Sequence, residues 1–332
     1  MLFGGTPEQA AAALRAMKHV ATAGGAHRLS DADKVALVAA HEVVFRMEGE
    51  LDPDALGDIT PAELAAVITK TADVEHVAAF LTVMSIVDGE LDRDRIRSAS
   101  AYAAALGVHE PYLRDLGRLA RQRLAEARAD IGRRNMRSFT GRWMSDDLDA
   151  WLMPYRDTPD PELHERYRAL ASNAEGSFGR AFADFYAANG FEYPGVAGAA
   201  NESFTTPHDC AHILSGYDTS PQGELLVSTF TAGMHPVEPV TGHILPVIVS
   251  WHLGVELAKF AGSTTGSLEP HKFWVAWDRG DRSAGDTLSQ RWDFWSHGEE
   301  PLADVRAAMA IPVLAPSDAA DGAYPEWYQP MA

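Results

Sequence analysis

Apolar residues recur every three or four positions along most of the chain, and this spacing predicts helices. Within residues 31–130 it predicts five helices. Ser30 and the Thr60-Pro61 pair supply start signals, and glycines such as Gly107 supply stops. Long runs of alternating apolar and polar residues, typical of strands, are absent. We therefore predict an all-α fold with two helical domains.

The same spacing continues in the C-terminal part. Further helices are predicted over residues 161–174, 178–189, 206–215, 243–260 and 303–309, and one more begins at Ser220. Basic residues and a change of composition near residues 130–145 suggest a boundary there. The predicted organisation is an N-terminal segment over residues 1–29, a helical domain over residues 30–135, and a second helical domain over residues 136–332.

One short stretch carries the clearest chemistry. The Thr206-Pro207 pair predicts a helix start, and Gly216 predicts its stop. His208 and His212 are four residues apart, so they lie on one helix face, one turn apart. Glu224 falls in the first turn of the next helix and can fold back toward them. Two histidines and one carboxylate, with positions left for water or substrate, are typical of a catalytic Zn²⁺ or non-haem Fe²⁺ site.

Simpler interpretations exist for each of these residues. The chain has 13 histidines, so one such pair can arise by chance. Asp209 can act as a helix cap, and Glu224 can complement a helix dipole. Cys210 points away from the histidine face, and we interpret it as a small buried apolar residue. His252 and Glu256, four apart in an apolar stretch, are either outer partners of the metal site or ordinary core residues.

The wider stretch resembles a known family. The run from His208 to Asp218, followed by Gly223-Glu224, resembles the motif of the COQ4 family of ubiquinone biosynthesis proteins. Residues 179–190 and 292–311 resemble that family's flanking regions, and the likeness covers roughly residues 140–315.

The resemblance implies a function and a ligand set. The divalent metal would be held by His208, Asp209, His212 and Glu224, with zinc the favoured ion and iron the alternative, and Asp209 could instead accept a proton. The substrate would be a polyprenylated aromatic quinone precursor, which loses its C1 carboxylate and gains oxygen there. The alternatives are a non-catalytic scaffold that binds prenylated lipid and other biosynthetic proteins, and an unrelated metal-dependent hydrolase. A homo-oligomer is left open.

Two acidic turns repeat forty residues apart in the N-terminal part. Residues 48–52 read Glu-Gly-Glu-Leu-Asp, residues 88–92 read Asp-Gly-Glu-Leu-Asp, and each follows an apolar helix. This pair of helix–turn–helix units resembles the TerB-like (tellurite-resistance) domain. The turns could bind a divalent cation, although they lack the ligand spacing of an EF-hand. Capping alone explains them, with a glycine ending one helix and an aspartate starting the next.

Charge narrows the classes of partner. The net charge is −19, which argues against broad nucleic-acid binding. Residues 143–332 hold 10 Lys+Arg against 27 Asp+Glu, a net charge of −17. Arginines are instead concentrated in residues 114–142. Three interpretations of them are open, namely a solvated face, a surface that docks on the acidic part, and a contact with anionic lipid. A single cysteine and the lack of a secretory signal predict a cytoplasmic protein, with peripheral membrane contact as an extension.

Overall fold

The computed structural model describes residues 2–108, 111–138, 158–257 and 262–324. The prediction of an all-α fold is confirmed, because these residues form sixteen α-helices and no strand. Their contacts divide the chain into two compact units, Met1–Arg134 with Val240–Asp278, and Asn135–Pro239 with Arg279–Ala332. This division places residues 240–278 in the first unit, whereas they were predicted to belong to the domain of residues 136–332. The domain bounds from sequence stay a prediction.

The first unit is built from helices whose starts are encoded locally. Thr6, Ser30 and Thr60 each form a capping box with the residue three positions on, and Asp92 caps by accepting two backbone N–H bonds. The helices are α1 (Pro7–Ala21), α2 (Asp31–Ala39), α3 (Pro61–Val67), α4 (Thr71–Met84), α5 (Arg93–Ala105), α6 (Pro111–Leu119), most of α7 (Leu124–Ser138), α12 (Leu245–Trp251) and most of α13 (Pro270–Arg282).

Aromatic side chains fill the core of the first unit. Trp274 and Trp277, one turn apart on α13, are buried and stacked, with ring centroids 5.9 Å apart. Both meet the ring of Phe80 on α4 edge to face, at 5.3 and 5.5 Å. Edge-to-face contacts are a favoured arrangement of aromatic rings. The three-residue tryptophan spacing therefore marks a core face.

The acidic turns are explained only in part by capping. Gly49 and Gly89 both take positive φ angles, 86° and 83°, but the helices before them end at Val44 and Met84, so the prediction that these glycines end the helices was wrong. Asp92 caps α5, whereas Asp52 accepts from the Asp54 N–H, and the next helix does not begin until Pro61. Among the described residues, neither turn brings three metal-ligating groups together.

The helix predicted over residues 243–260 is shorter than expected. A π-helical turn, Pro239–Ile244, leads into α12, which ends at Trp251, and Gly254 then takes a φ angle of 68°. Residues 258–261 lie outside the described part. His252 follows the helix, buried in the first unit. Its Nε2 lies 3.1 Å from the Val87 carbonyl, and its Nδ1 accepts the Leu268 N–H at 3.2 Å. His252 is thus a satisfied core residue, and its predicted pairing with Glu256 near a metal has no support.

We expect His252 to make folding sensitive to acid. The pKa of His252 lies below its ordinary value of 6.5, mainly because the imidazole is buried. The unfolded chain therefore takes up a proton more readily than the folded one, and stability falls as pH drops below 6.5. Urea unfolding of wild type and His252→Gln across this range measures the effect. Glutamine can keep one donor and one acceptor but cannot titrate, so the variant should lose stability less steeply toward low pH. Equal slopes would contradict the prediction.

The second unit packs its helices around another aromatic core. Its helices are α8 (Pro161–Ala169), α9 (Phe178–Asn189), α10 (Glu202–Ser215), α11 (Pro221–Met234), α14 (Phe294–His297), α15 (Leu302–Ala308) and α16 (Pro316–Ala319). Phe182 of α9 lies 4.7 Å from both Tyr186 and Phe294, measured between ring centroids. Tyr167 of α8 joins them. Helix α9 ends at Gly190, in the left-handed conformation, as predicted.

No helix among the described residues is both long enough and apolar enough to span a bilayer.

Candidate metal centre

Helix α10 carries the two motif histidines but begins earlier than its sequence suggests. Its N-cap is Asn201, whose side chain accepts the Ser203 N–H, and Pro207 lies inside the helix. The predicted cap, Thr206, is buried, and its hydroxyl hydrogen-bonds that of Tyr167 at 2.6 Å. The prediction that this helix starts at Thr206-Pro207 was therefore wrong, because the Thr206 hydroxyl bonds a distant residue and does not cap the helix.

The C-terminal end of α10 is tightly held. Gly216 ends the helix with a φ angle of 85°, as predicted. Arg279 donates to the Ser215 carbonyl at 3.0 Å, and Arg306 donates to the carbonyls of Leu214 and Ile213 at 3.1 and 2.6 Å. Guanidinium groups there satisfy the last carbonyls and complement the negative end of the helix dipole. Both arginines therefore fix the helix that presents the histidines.

Helix α11 brings the carboxylate to the site. It begins as predicted, with Ser220 as N-cap and Pro221 in the first turn. Glu224 is in that first turn. The residue before it must be small, because a Cβ at Gly223 would overlap the backbone and carboxylate oxygens of Asp218. Asp218 thus packs directly against the turn that carries Glu224.

The three predicted side chains converge. Nε2 of His208 lies 3.2 Å from Nε2 of His212, and the Glu224 oxygens lie 3.4 Å from the first nitrogen and 3.5 Å from the second. Donor atoms around a tetrahedral zinc, with bonds of about 2.0–2.2 Å, are about 3.3–3.6 Å apart. The observed spacings match that geometry. His208, His212 and Glu224 form a group that could hold a metal ion.

The group is buried on one side and open on the other. The side chain of His212 is 1% exposed, whereas those of His208 and Glu224 are 25% and 24% exposed. Three protein ligands with one open side leave coordination positions for water or substrate, which distinguishes catalytic from closed structural sites.

A backbone carbonyl orients the buried histidine. Nδ1 of His212 lies 2.9 Å from the Tyr217 carbonyl, which accepts only from a protonated nitrogen, so in the neutral imidazole the lone pair is on Nε2 and faces the site. Tyr217 is itself held by the chain near residue 323. The Asp218 N–H donates to the Gly322 carbonyl, and the Tyr324 N–H donates to the Gly216 carbonyl, both at 3.1 Å. The ring is thus arranged to bind metal before any ion arrives.

The charges at the site favour a cation. Burial alone would raise the pKa of Glu224, but the nearby imidazoles outweigh it and hold that pKa well below its ordinary value. Burial alone would lower the pKa of His212, but the Glu224 carboxylate reverses this and raises it. At neutral pH the carboxylate is therefore ionised, and it supplies a negative charge for a cation at this site.

Asp209 lies beside this group, with other partners. Its Oδ2 accepts hydrogen bonds from the Tyr186 hydroxyl at 2.6 Å and the Thr205 hydroxyl at 2.8 Å, and the residue is 5% exposed. The ligand group formed by the described residues comprises the two histidines and Glu224, without Asp209. Burial raises the pKa of Asp209. Its predicted roles as a ligand or proton acceptor stay predictions.

Some contributors were not visible in the sequence. Thr205 is four residues before Asp209, so helical spacing could have paired them. Tyr186, Arg279 and Arg306 reach the motif from distant parts of the chain, and no local pattern marks them. Cys210 is fully buried, as predicted.

No protein-family model, curated protein or solved structure matches this chain. The COQ4-like and TerB-like resemblances therefore stay predictions.

Proposed function

We propose that this protein is a metal-dependent enzyme that removes the ring carboxylate of a polyprenylated aromatic acid, a quinone precursor, and leaves a hydroxyl in its place. The observation that carries the proposal is the partly open group of His208, His212 and Glu224. The sequence resemblance to the COQ4 family supplies the substrate class. The divalent ion would be iron if the reaction uses oxygen, whereas zinc would fit the same donors without redox chemistry.

The donor set and its spacing fit such an ion. Imidazole and carboxylate together suit iron, zinc and other first-row metals, and two histidines with one carboxylate are the ligands of many non-haem iron oxygenases. When bound, the ion would supply a Lewis acid for the substrate carboxylate or phenolate and, if it is iron, a redox centre. His212 would hold its Nε2 toward the ion through the Tyr217 carbonyl, and Glu224 would offset the ion's charge.

Aromatic side chains next to the site support an apolar substrate. The ring of Phe185 lies 5.5 Å from that of His212, and Phe191 lies 5.8 Å from Phe185, measured between centroids. Phe185 is fully buried and Phe191 is 45% exposed, so these ring contacts run from the buried histidine to the protein surface. An isoprenoid tail needs mainly apolar contacts, while the polar ring needs only a few placed groups.

The overall reaction balances with oxygen and a two-electron donor. One aromatic carboxylic acid, one O₂, two electrons and two protons give one phenol, one CO₂ and one water. The carbon–carbon bond to the carboxylate breaks, and a carbon–oxygen bond forms at the same ring position. The reductant would be a small-molecule or protein donor of two electrons.

Turnover with a labelled acid tests the proposal. The purified protein is loaded with Fe²⁺ or Zn²⁺ and given a prenylated hydroxybenzoic acid labelled with ¹³C in the carboxylate, with ascorbate and air. We expect labelled CO₂ from the iron form and from neither the zinc form nor iron-treated His212→Ala. Copurifying prenylated lipid and bound zinc without turnover would support the scaffold instead. Absence of both turnover and bound lipid would overturn the substrate class.

A further inference from the structure

The arginine run of residues 114–137 does not form one solvated face. The chain turns sharply after α6, where Gln122 takes a φ angle of 61°, and the run is divided between α6 and α7. Arg118 on α6 forms ion pairs with Glu126 and Asp130 on α7. Arg142 lies outside the described residues. The run and two arginines of α5 border a cleft of about 930 Å³ in the first unit.

Among the residues that the structure describes, six arginines and one carboxylate line this cleft. The arginines are Arg93, Arg97, Arg114, Arg118, Arg121 and Arg123, and the acid is Glu126. Apolar side chains, including Ile96, Val108 and Leu113, complete the lining. Pockets that bind small molecules are commonly about 300–1,000 Å³ and combine apolar walls with a few charged groups. The cleft is of that size but has an unusual excess of guanidinium groups.

The positive charge is only partly neutralised. Four of the cleft arginines form ion pairs with carboxylates, those of Asp94, Asp115, Glu126 and Asp130. Arg133 and Arg134 pair with acids of the same set, so six arginines share four carboxylates. Arg93 and Arg121 donate to the carbonyls of Ala120 and Gly117, at 3.2 and 3.0 Å. Neither has a carboxylate within ion-pair distance among the described residues. Among the described residues, these eight arginines therefore have four acids as ion-pair partners, in a chain whose net charge is −19.

We propose that this cleft binds a phosphate-bearing ligand, with Arg93 and Arg121 as its principal donors. A guanidinium group presents a planar fork of N–H donors that matches phosphate oxygens, and a carbonyl partner leaves its charge uncompensated. The apolar lining would contact the ligand's non-polar portion. The phosphate would belong either to a soluble phosphorylated metabolite or to a lipid headgroup. The proposal does not depend on the metal centre, because every residue named is in the first unit.

Calorimetric titration of the full chain with inorganic pyrophosphate tests the cleft. We expect binding that weakens with added salt, and that is at least about tenfold weaker in Arg93→Gln/Arg121→Gln, since the variant loses two donors of charged hydrogen bonds to the phosphate. The matched control is Arg168→Gln/Arg180→Gln, which removes two ion-paired arginines of the second unit and should bind like wild type. Circular dichroism establishes that both double variants are folded.

Vesicle flotation then identifies the source of the phosphate. Binding of pyrophosphate without flotation on phosphatidic acid vesicles indicates a soluble metabolite. Flotation on these vesicles, lost in the cleft variant and absent with phosphatidylcholine alone, indicates a lipid headgroup. Failure to bind either probe, or equal binding by both double variants, would overturn the proposal.

Discussion

Replacing His212 with alanine is expected to abolish stoichiometric metal binding. Wild-type protein should retain about one metal ion per chain after dialysis, because three donors converge on one point. Removing a residue that hydrogen-bonds to a metal ligand typically lowers metal affinity about 10–100-fold. Removing a ligand itself should lower the affinity at least as much. Elemental analysis of dialysed protein measures occupancy, and thermal unfolding with added metal measures the linked stabilisation.

Two further variants guard against simple misfolding. His212 is buried, so its removal leaves the Tyr217 carbonyl without its donor, which costs about 1–3 kcal/mol by itself. Glu224→Gln keeps the side-chain shape and should fold normally, yet should also bind metal weakly. His27→Ala removes an exposed histidine of the first unit and should retain full occupancy. Equal metal content in wild type, His212→Ala and Glu224→Gln would remove the site from consideration.

Substituting Gly280 with alanine is expected to destabilise the second unit and weaken the metal site together. A Cβ at Gly280 would overlap the Phe230 carbonyl and come within 3.1 Å of the Gly233 Cα, both backbone atoms of α11. Alanine favours a helix interior over glycine by about 1 kcal/mol, but overpacking typically costs about 1–3 kcal/mol and sometimes more. The clash should dominate, and it would displace the helix that carries Glu224.

Gly132 provides the matched comparison. It is also inside a helix, α7, and a Cβ there would meet nothing within 4 Å. Gly132→Ala should therefore be neutral or stabilising by up to about 1 kcal/mol. Urea unfolding and metal titration of both variants test the pair. If Gly280→Ala is as stable as Gly132→Ala and its metal affinity is unchanged, the prediction is contradicted, because α11 can then shift without moving the site.

Helix boundaries were predictable where the signal was local. Ser220-Pro221 starts α11 and Gly190 ends α9 as predicted, because capping depends on residues within one turn. Thr206-Pro207 carried the same signal and misled, because its hydroxyl bonds Tyr167, thirty-nine residues earlier in the chain. Local cap signals fail where a distant buried partner competes for the same group.

The candidate site was predictable for a similar reason. The spacing of His208 and His212 is set by a single helix, and only one short loop separates them from Glu224. The groups that orient them, the Tyr217 carbonyl and the guanidinium groups of Arg279 and Arg306, depend on tertiary packing. No periodic pattern marks such contacts. The arginine cleft was also missed, because the sequence showed one basic run where the chain folds into two helices.

The burial of Cys210 gives the motif helix its own internal reporter. The chain has a single cysteine, which lies on α10 between the two histidines in sequence, and its side chain is fully buried. A thiol reagent can reach it only when this helix opens locally. The rate of covalent labelling would therefore time the opening of the segment that carries His208 and His212. A metal ion that binds only when this helix is closed should slow the labelling, although it does not affect the reagent itself.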